Sequence, residues 1–388
     1  VIKYLGSKRR LLPVLGGLAR TIGASSALDL FTGTTRVAQE FKRQGASVWA
    51  LDSARYSKVL ADCYIATDAR TVDTDHLHAV VDYLNTLSGY DGYFTETFCR
   101  QSRYFQPHNG RRIDAIRDAI SQESGDSALY PILLSSLMEA ADRVDSTTGV
   151  QMAYLKNWSP RSYQALKLEM PKLLPGTGVS VRAEATRAVS DLPAVELAYM
   201  DPPYNQHSFF ANYHVWETLV AWDAPAHYGV ACKRVDCRDQ ATKSLFNSRR
   251  TIHDALACVV GAIRARLLVV SYNNESFVSL PELIDICSCR GAVEVLSFDS
   301  RRYVGAQIGI HNPSGQRVGR VSHLHNVEYL VICGDQHDVG EAVRAFMALQ
   351  PSGATERGSG AARRGSREEG ELPFEGVLGG GQHRQDIR

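Results

Sequence analysis

Ala27-Leu28-Asp29-Leu30-Phe31-Thr32-Gly33-Thr34-Thr35-Arg36-Val37-Ala38 reads as a short apolar strand, a turn with glycine at its tightest point, and a helix that continues through Glu40 and Phe41. Gly33 lets the backbone approach a ligand closely, and Asp29 is placed to accept a hydrogen bond from an ammonium group. A second strand follows, Ser47-Val48-Trp49-Ala50-Leu51, closed by Asp52. An acid at the tip of the second strand of a nucleotide-binding unit holds ribose hydroxyls. The dinucleotide fingerprint would want further glycines where Thr35 and Ala38 stand. With no pyrophosphate to cradle, one glycine is enough. The pair of strands therefore fits a phosphate-free nucleoside such as S-adenosylmethionine better than NAD.

Working outward, strand-like segments at 27–31, 47–51, 178–183, 196–200, 267–272, 292–298 and 327–333 alternate mainly with helix-length stretches. That alternation predicts a doubly wound, mostly parallel α/β sheet of seven strands. Ligands of such sheets sit at the carboxyl ends of the strands, and Asp29, Asp52 and Asp201 all fall at those ends. A chain of 388 residues with 44% hydrophobic content can bury one large core and carry an inserted lobe as well.

After the apolar run Leu197-Ala198-Tyr199-Met200 comes Asp201-Pro202-Pro203-Tyr204. The amino group of an adenine is a poor nucleophile because its lone pair is delocalised into the ring. The Asp201 carboxylate and the carbonyl of Pro202 are two acceptors for that NH2, drawing it towards a pyramidal geometry with the lone pair outward. Pro202 and Pro203 stiffen the turn that aims them. Tyr204 offers a flat face for the base, and such stacking is worth roughly 1–3 kcal/mol. At the start of the chain, Lys3-Tyr4-Leu5-Gly6-Ser7-Lys8-Arg9-Arg10 precedes an apolar stretch from Leu11 to Ile22. There Lys8 is expected to pair with the carboxylate of a methionine moiety, and Tyr4 to pack near a sulfonium.

These segments resemble the D12-class adenine-specific DNA N6-methyltransferases in their alpha arrangement. Tyr4, Gly6 and Lys8 match that family's first motif, Asp29, Phe31 and Gly33 its cofactor loop, and Asp201 to Tyr204 its catalytic loop. Asn205, then Asn212-Tyr213-His214-Val215-Trp216-Glu217, and Leu268 through Glu275 continue the likeness. The resemblance implies a Rossmann-like, S-adenosylmethionine-dependent methyltransferase sheet with an inserted, mainly helical target-recognition lobe. It also implies catalytic roles for Asp201, Pro202, Pro203 and Tyr204, and cofactor contacts from Tyr4, Lys8, Asp29, Phe31, Gly33, Asp52 and Glu184. Two positions depart from the family's pattern: Thr35 replaces a usual glycine, and Glu184 stands where a shorter acid often meets the cofactor's adenine.

The organisation expected is a first catalytic segment at 1–70, the insert at 71–177, a second catalytic segment at 178–345 and a disordered tail at 346–388. The insert holds helix-like stretches at 74–87, 111–122 and 129–142. Lys plus Arg number 43 against 42 Asp plus Glu, so double-stranded DNA must be met by local basic patches. Arg103, Arg111 and Arg112 form one such patch, beside Arg100, Tyr104, Gln106, His108 and Asn109. Lys233, Arg234, Arg249 and Arg250, with Arg238 and Lys243, form another, suited to phosphate contacts. Ser146 to Val150 and Lys156-Asn157-Trp158 are expected to line the groove between lobes. Phe298, Arg301 and Tyr303 stand where the family often supports the flipped base.

Eight scattered cysteines without a C-x-x-C pair point to free thiols in a reducing cytoplasm and to no metal. No signal peptide and no membrane-length apolar run are seen. The activity expected is site-specific methylation of adenine N6 in duplex DNA, either beside a separately encoded cognate restriction endonuclease or as an orphan enzyme. Two rivals stand: a methyltransferase for RNA or a protein amide, and a non-catalytic DNA-binding protein on a decayed scaffold.

Overall fold

A computed structural model describes residues 2–4, 8–124, 127–155, 157–301, 310–311, 317–319 and 325–349. Gly6, Lys156, Tyr303 and the segment beyond 349 lie outside the described residues, as does the side chain of Arg301. All seven expected strands form: β1 (Ser26–Leu30), β2 (Ser47–Asp52), β3 (Gly178–Arg182), β4 (Val195–Met200), β5 (Ala265–Asn273), β6 (Ala292–Arg301) and β7 (His325–Gly334). They make one sheet in the order β3-β2-β1-β4-β5-β7-β6. The first five run parallel, while β7 is antiparallel to both β5 and β6.

Burial on both faces explains why these strands read as near-continuous apolar runs. Side chains alternate between faces, so Ala27, Leu197, Tyr199, Leu267, Val269, Leu330 and Ile332 enter one apolar cluster. Leu28, Leu30, Ala198, Met200, Leu268, Val270 and Val331 enter the other. The first face is covered by α1 (Leu12–Thr21), α2 (Arg36–Arg43) and α3 (Arg55–Ala61), together with helices of the insert.

Those insert helices are α4 (Thr74–Thr86), α5 (Pro107–Ser124) and α6 (Tyr130–Val144), close to the three expected spans. Asp73 caps α4 by accepting the His76 N–H at 3.0 Å. Leu77, Phe94, Ile113 and Leu133 belong to the same apolar cluster as the sheet face, so the insert and the sheet share one core. Lys3 fastens the N-terminal segment to the end of α6: its backbone N–H donates to Asp142 at 3.1 Å, and its ammonium lies 3.1 Å from Asp145.

After β4 come α7 (His214–Ala221) and α8 (Ile252–Ala262), and after β5 comes α9 (Leu280–Ser288), opened by a Ser279–Glu282 capping box. The last helix, α10 (Gln336–Leu349), runs past the boundary expected at 345. Phe346 explains the extension, since its ring meets Phe298 edge-on at 5.4 Å and is buried. The strand order reverses between β1 and β4, which is where a ligand crevice opens in this architecture.

Candidate active site

Parallel pairing brings the expected acids together. Leu30 of β1 lies opposite Met200 of β4 and Leu51 of β2, so Asp29, Asp52 and Asp201 emerge along one edge of the sheet. The Asp201 N–H points to the Leu30 carbonyl at 3.5 Å.

On the β1–β2 side, the Asp52 carboxylate accepts the Gly33 N–H and the Ala54 N–H, both at 2.9 Å, and so holds the glycine turn down on the tip of β2. Asp29 accepts the Thr32 hydroxyl at 2.7 Å and the Ala38 N–H at 2.9 Å, tying the strand end to the first turn of α2. Burial pushes the Asp29 carboxyl up to about 7 in spite of those donors. Asp52 is raised for the same reason. Gly33 has φ +52°, and a Cβ there would come within 3.0 Å of the Tyr4 ring. Thr35 and Phe31 take positive φ as well, 60° and 62°, so three alternate residues of the turn sit in the left-handed region. Glu184 is the N-cap of the short helix Ala185–Ala188 and accepts the Arg187 N–H at 3.2 Å. Asp52 and Glu184 are joined through the backbone, because the Ala183 N–H donates to the Asp52 carbonyl at 3.0 Å.

Tyr4 stands over this turn. Its ring stacks on Tyr213 at 4.6 Å and on Phe209 at 5.4 Å, and its hydroxyl is 3.1 Å from that of Tyr56. Burial, then Asp52, holds the Tyr4 phenol far above its ordinary range.

On the β4 side, Lys8 Nζ lies 3.4 Å from Asp201 Oδ1. Lys8 was expected against a cofactor carboxylate; the structure sets its ammonium on Asp201. Burial leads the shift of Asp201, pushing it up to about 6 although 22% of the side chain is accessible. Lys8 opposes the rise and Glu328 adds to it. Burial by itself would lower the Lys8 ammonium, yet Asp201, Glu328 and Tyr204 hold it above its usual value. Tyr204 is pushed up to about 12 by burial, against Lys8. Its ring meets Tyr272 edge-on at 5.9 Å, and its carbonyl accepts the Phe277 N–H at 2.9 Å.

Sequence reasoning missed two acids here. Glu328 of β7, opposite Asn273 in register, acts by charge on Lys8, Asp201 and Tyr204 alike. A glutamate inside the apolar run Val327-Glu328-Tyr329-Leu330 was the available signal. Glu217 of α7 accepts the Arg55 N–H at 2.7 Å, so it joins α7 to the start of α3 just after Asp52; burial pushes it up to about 7.

The basic residues divide. Arg234 does not serve the open phosphate-contact role expected of it: it is 4% exposed, and its guanidinium meets Asp223 at 2.7 Å and Asp236 at 2.8 Å. Arg111 is ion-paired with Asp91 at 2.7 Å, Arg112 donates to the Asn85 carbonyl at 3.0 Å, and Arg103 stacks on Trp158 at 4.8 Å. Arg249 and Arg250 are exposed, Arg249 lying over the Phe277 ring at 4.8 Å, and Lys233 is half-buried in a short hairpin with His227-Tyr228. Phe298 packs into α10, so its ring is part of the core and not a support for a flipped base. Ser146 is buried and accepts the Leu155 N–H through its carbonyl at 3.1 Å.

All eight cysteines are free. Among the described residues one group has metal-ligand spacing, His337, Asp338 and Glu341, at the far end of the sheet, and Asp338 there is paired with Arg266 at 3.1 Å. Also among them, no helix is long and apolar enough to cross a membrane.

A strand order of β3-β2-β1-β4-β5-β7-β6 with Asp-Pro-Pro-Tyr closing β4 defines a Rossmann-like methyltransferase. The model of the D12 class N6 adenine-specific DNA methyltransferases matches residues 4–273, and the chain belongs to that family. It is 29% identical over 323 residues to the modification methylase StsI of Streptococcus sanguinis, across 78% of this chain and 49% of that protein. It is 27% identical over 317 residues to the type II methyltransferase M.NlaIII of Neisseria lactamica, across 78% of this chain and 92% of that one. Its match to M.FokI of Planomicrobium okeanokoites is 26% identical and covers 48% of that protein. The chain therefore spans about half the length of StsI and of M.FokI, and nearly all of M.NlaIII. A solved precorrin-6y C5,15-methyltransferase from Geobacter metallireducens overlays with a TM-score of 0.30 at 11% identity, covering 87% of this chain and 93% of that one. An overlay that loose adds nothing to the fold read from the sheet.

Proposed function

We propose that the chain methylates the N6 amino group of an adenine rotated out of duplex DNA, using S-adenosylmethionine. The observation that carries this reading is the register of β1 against β4: it sets the glycine turn at Gly33 and the acceptor Asp201 on neighbouring strand ends. A donor held at the first lies beside an amine held at the second.

The residues present fit the donor. Gly33, lacking a Cβ, lets the Tyr4 ring lie close against the turn, Asp52 and Glu184 end adjacent strands, and the stacked Tyr4 offers a π face to a cation. Tyr4, Asp29, Phe31, Gly33, Asp52 and Glu184 would hold it, with Lys8 available to a carboxylate once it leaves Asp201. When bound, the group supplies an electrophilic methyl.

On the acceptor side, the chain's own work is placement and desolvation. A flipped base gives up a few kcal/mol of stacking and pairing, which Tyr204 and two hydrogen bonds offset. Asp201 Oδ and the Pro202 carbonyl accept from the two amino hydrogens, and Pro203 keeps them aimed. Ionised above about pH 6, Asp201 accepts without needing to be a strong base, since proton loss follows easily once nitrogen is cationic.

The insert is read as the target-recognition unit, and Arg103, Arg111, Arg112, Lys233, Arg249 and Arg250 as the residues closest to the phosphates. The relatives' description as type II methyltransferases supports the methyltransferase reading; a modification role beside a separately encoded cognate endonuclease, in a cytoplasmic setting, is the rest of the proposal. The test is labelled methyl transfer to unmethylated bacterial DNA, with the modified base identified and its context mapped. N6-methyladenine at one short recurring sequence is expected. Transfer only to RNA or protein would move the assignment to those acceptors.

A further inference from the structure

The one-turn segment Leu245–Asn247, between the basic stretch and α8, touches both halves of the site. The Phe246 ring is fully buried and meets Phe31 of the glycine turn edge-on at 4.9 Å, with an interplanar angle of 76°. Phe31 holds its positive φ of 62° without the freedom of glycine, so the partner that fixes its ring also fixes the turn. The next residue faces the other way. The Asn247 side-chain amide donates to the carbonyl of Asn205, the residue after Asp201-Pro202-Pro203-Tyr204, at 2.7 Å and to that of His207, two residues further on, at 3.1 Å. Two residues further on, Arg249 lies over Phe277, whose N–H donates to the Tyr204 carbonyl. The segment is itself tied off, because the Thr251 hydroxyl donates to the Leu245 carbonyl at 2.6 Å.

We infer that Leu245–Asn247 is a brace between the donor loop and the acceptor loop, and that Asn247 is a positioning residue for methyl transfer. The inference rests on the proposed adenine methylation and adds to it a residue that touches neither donor nor base. One side-chain amide satisfies two carbonyls of a loop that has no other regular structure until Phe209. Without that amide the 205–207 backbone is released on the side where Tyr204 must present its ring. The donor side stays held by Phe246. The two loops then keep their ligands and lose their mutual alignment, and a misplacement of about 1 Å costs on the order of a hundredfold in rate.

The experiment uses the full chain with S-adenosylmethionine and a duplex carrying the mapped target sequence. Asn247→Ala and the isosteric Asn247→Asp are measured for cofactor affinity by calorimetry, duplex affinity by anisotropy, melting temperature, and single-turnover methylation. Both variants are expected to lose about tenfold or more in the methylation rate, with cofactor and duplex affinities kept within about twofold. Asn247→Asp decides against mere packing. It preserves volume but turns an acceptor towards two carbonyls, so a packing role would leave it close to wild type.

A wild-type rate in either variant overturns the brace. So does loss of cofactor binding or of the folded state in both, since a brace acts on alignment alone. Failure of the wild-type chain to methylate adenine in any duplex would instead overturn the proposed function, and the two failures are told apart by that control.

Discussion

Lys8 and Asp201 form a pair 3.4 Å apart, although 193 positions separate them in the chain, and the lysine side chain is 7% exposed. The contact places the family's first motif on its last. It also bears on the protonation of Asp201, where burial raises the carboxyl and Lys8 opposes both burial and Glu328. On the proposed mechanism Asp201 accepts as a carboxylate, so the wild type's kcat/KM for the cofactor, which reports the unliganded chain with Lys8 on Asp201, should fall as pH drops through about 6. Lys8→Met removes that opposing cation and should move the acid limb up by about one pH unit. The variant then keeps roughly a quarter of its rate at pH 6.5, where the wild type keeps about three quarters, and recovers nearly all of it by pH 8.5. An acid limb that does not move would show that Lys8 does not govern Asp201.

Asp201→Ala should abolish transfer while most of the duplex and cofactor affinity persists, because it removes one acceptor for the flipped base and leaves the phosphate and cofactor contacts in place. Tyr204→Ala should keep a residual rate and weaken capture of the flipped base by about 1–3 kcal/mol, the value of one base stack. A 2-aminopurine placed at the target position reports the second effect as fluorescence, independently of turnover. Wild-type turnover by Asp201→Ala would refute the catalytic assignment.

The seven strands were legible because a parallel sheet buried on both faces leaves long apolar runs, and an acid at the end of such a run marks the ligand edge. Asp29, Asp52, Asp201 and Gly33 all lie where that logic puts them. What the sequence did not reveal depends on which charge meets which. Arg234 and Arg249 look alike in a basic stretch, but Asp223 lies eleven residues before Arg234 and Asp236 two after it, and both close on its guanidinium. Lys8 and Glu328 likewise meet Asp201 only through the fold. Asn247 carries no charge and belongs to no motif, so only its two carbonyl contacts bring it to notice.

That difference between two arginines is testable. Arg249→Ala should weaken duplex binding about equally for all sequences and reduce the slope of log affinity against log salt by about one. Arg234→Ala should instead leave the salt slope alone and lower the stability of the chain by about 2 kcal/mol, by stranding Asp223 and Asp236. Urea melts and salt titrations separate the two. A changed salt slope in folded Arg234→Ala would return that residue to the DNA surface.

Glu217 gives the pH dependence of stability a traceable source. Burial raises its carboxyl from 4.5 to about 7, so between those values the folded chain holds a proton that the unfolded chain releases. A group that binds more protons when folded makes stability fall as pH rises, so this contribution is intact below about pH 4.5 and lost progressively up to about pH 7. Glu217→Gln keeps an acceptor for the Arg55 N–H and cannot ionise. Relative to wild type, the variant should gain about 2–3 kcal/mol on going from pH 5 to pH 8, measured by urea unfolding at both. An equal pH response in the two proteins would mean that Glu217 is ionised at no cost, with Arg55 and Arg182 compensating its burial in full.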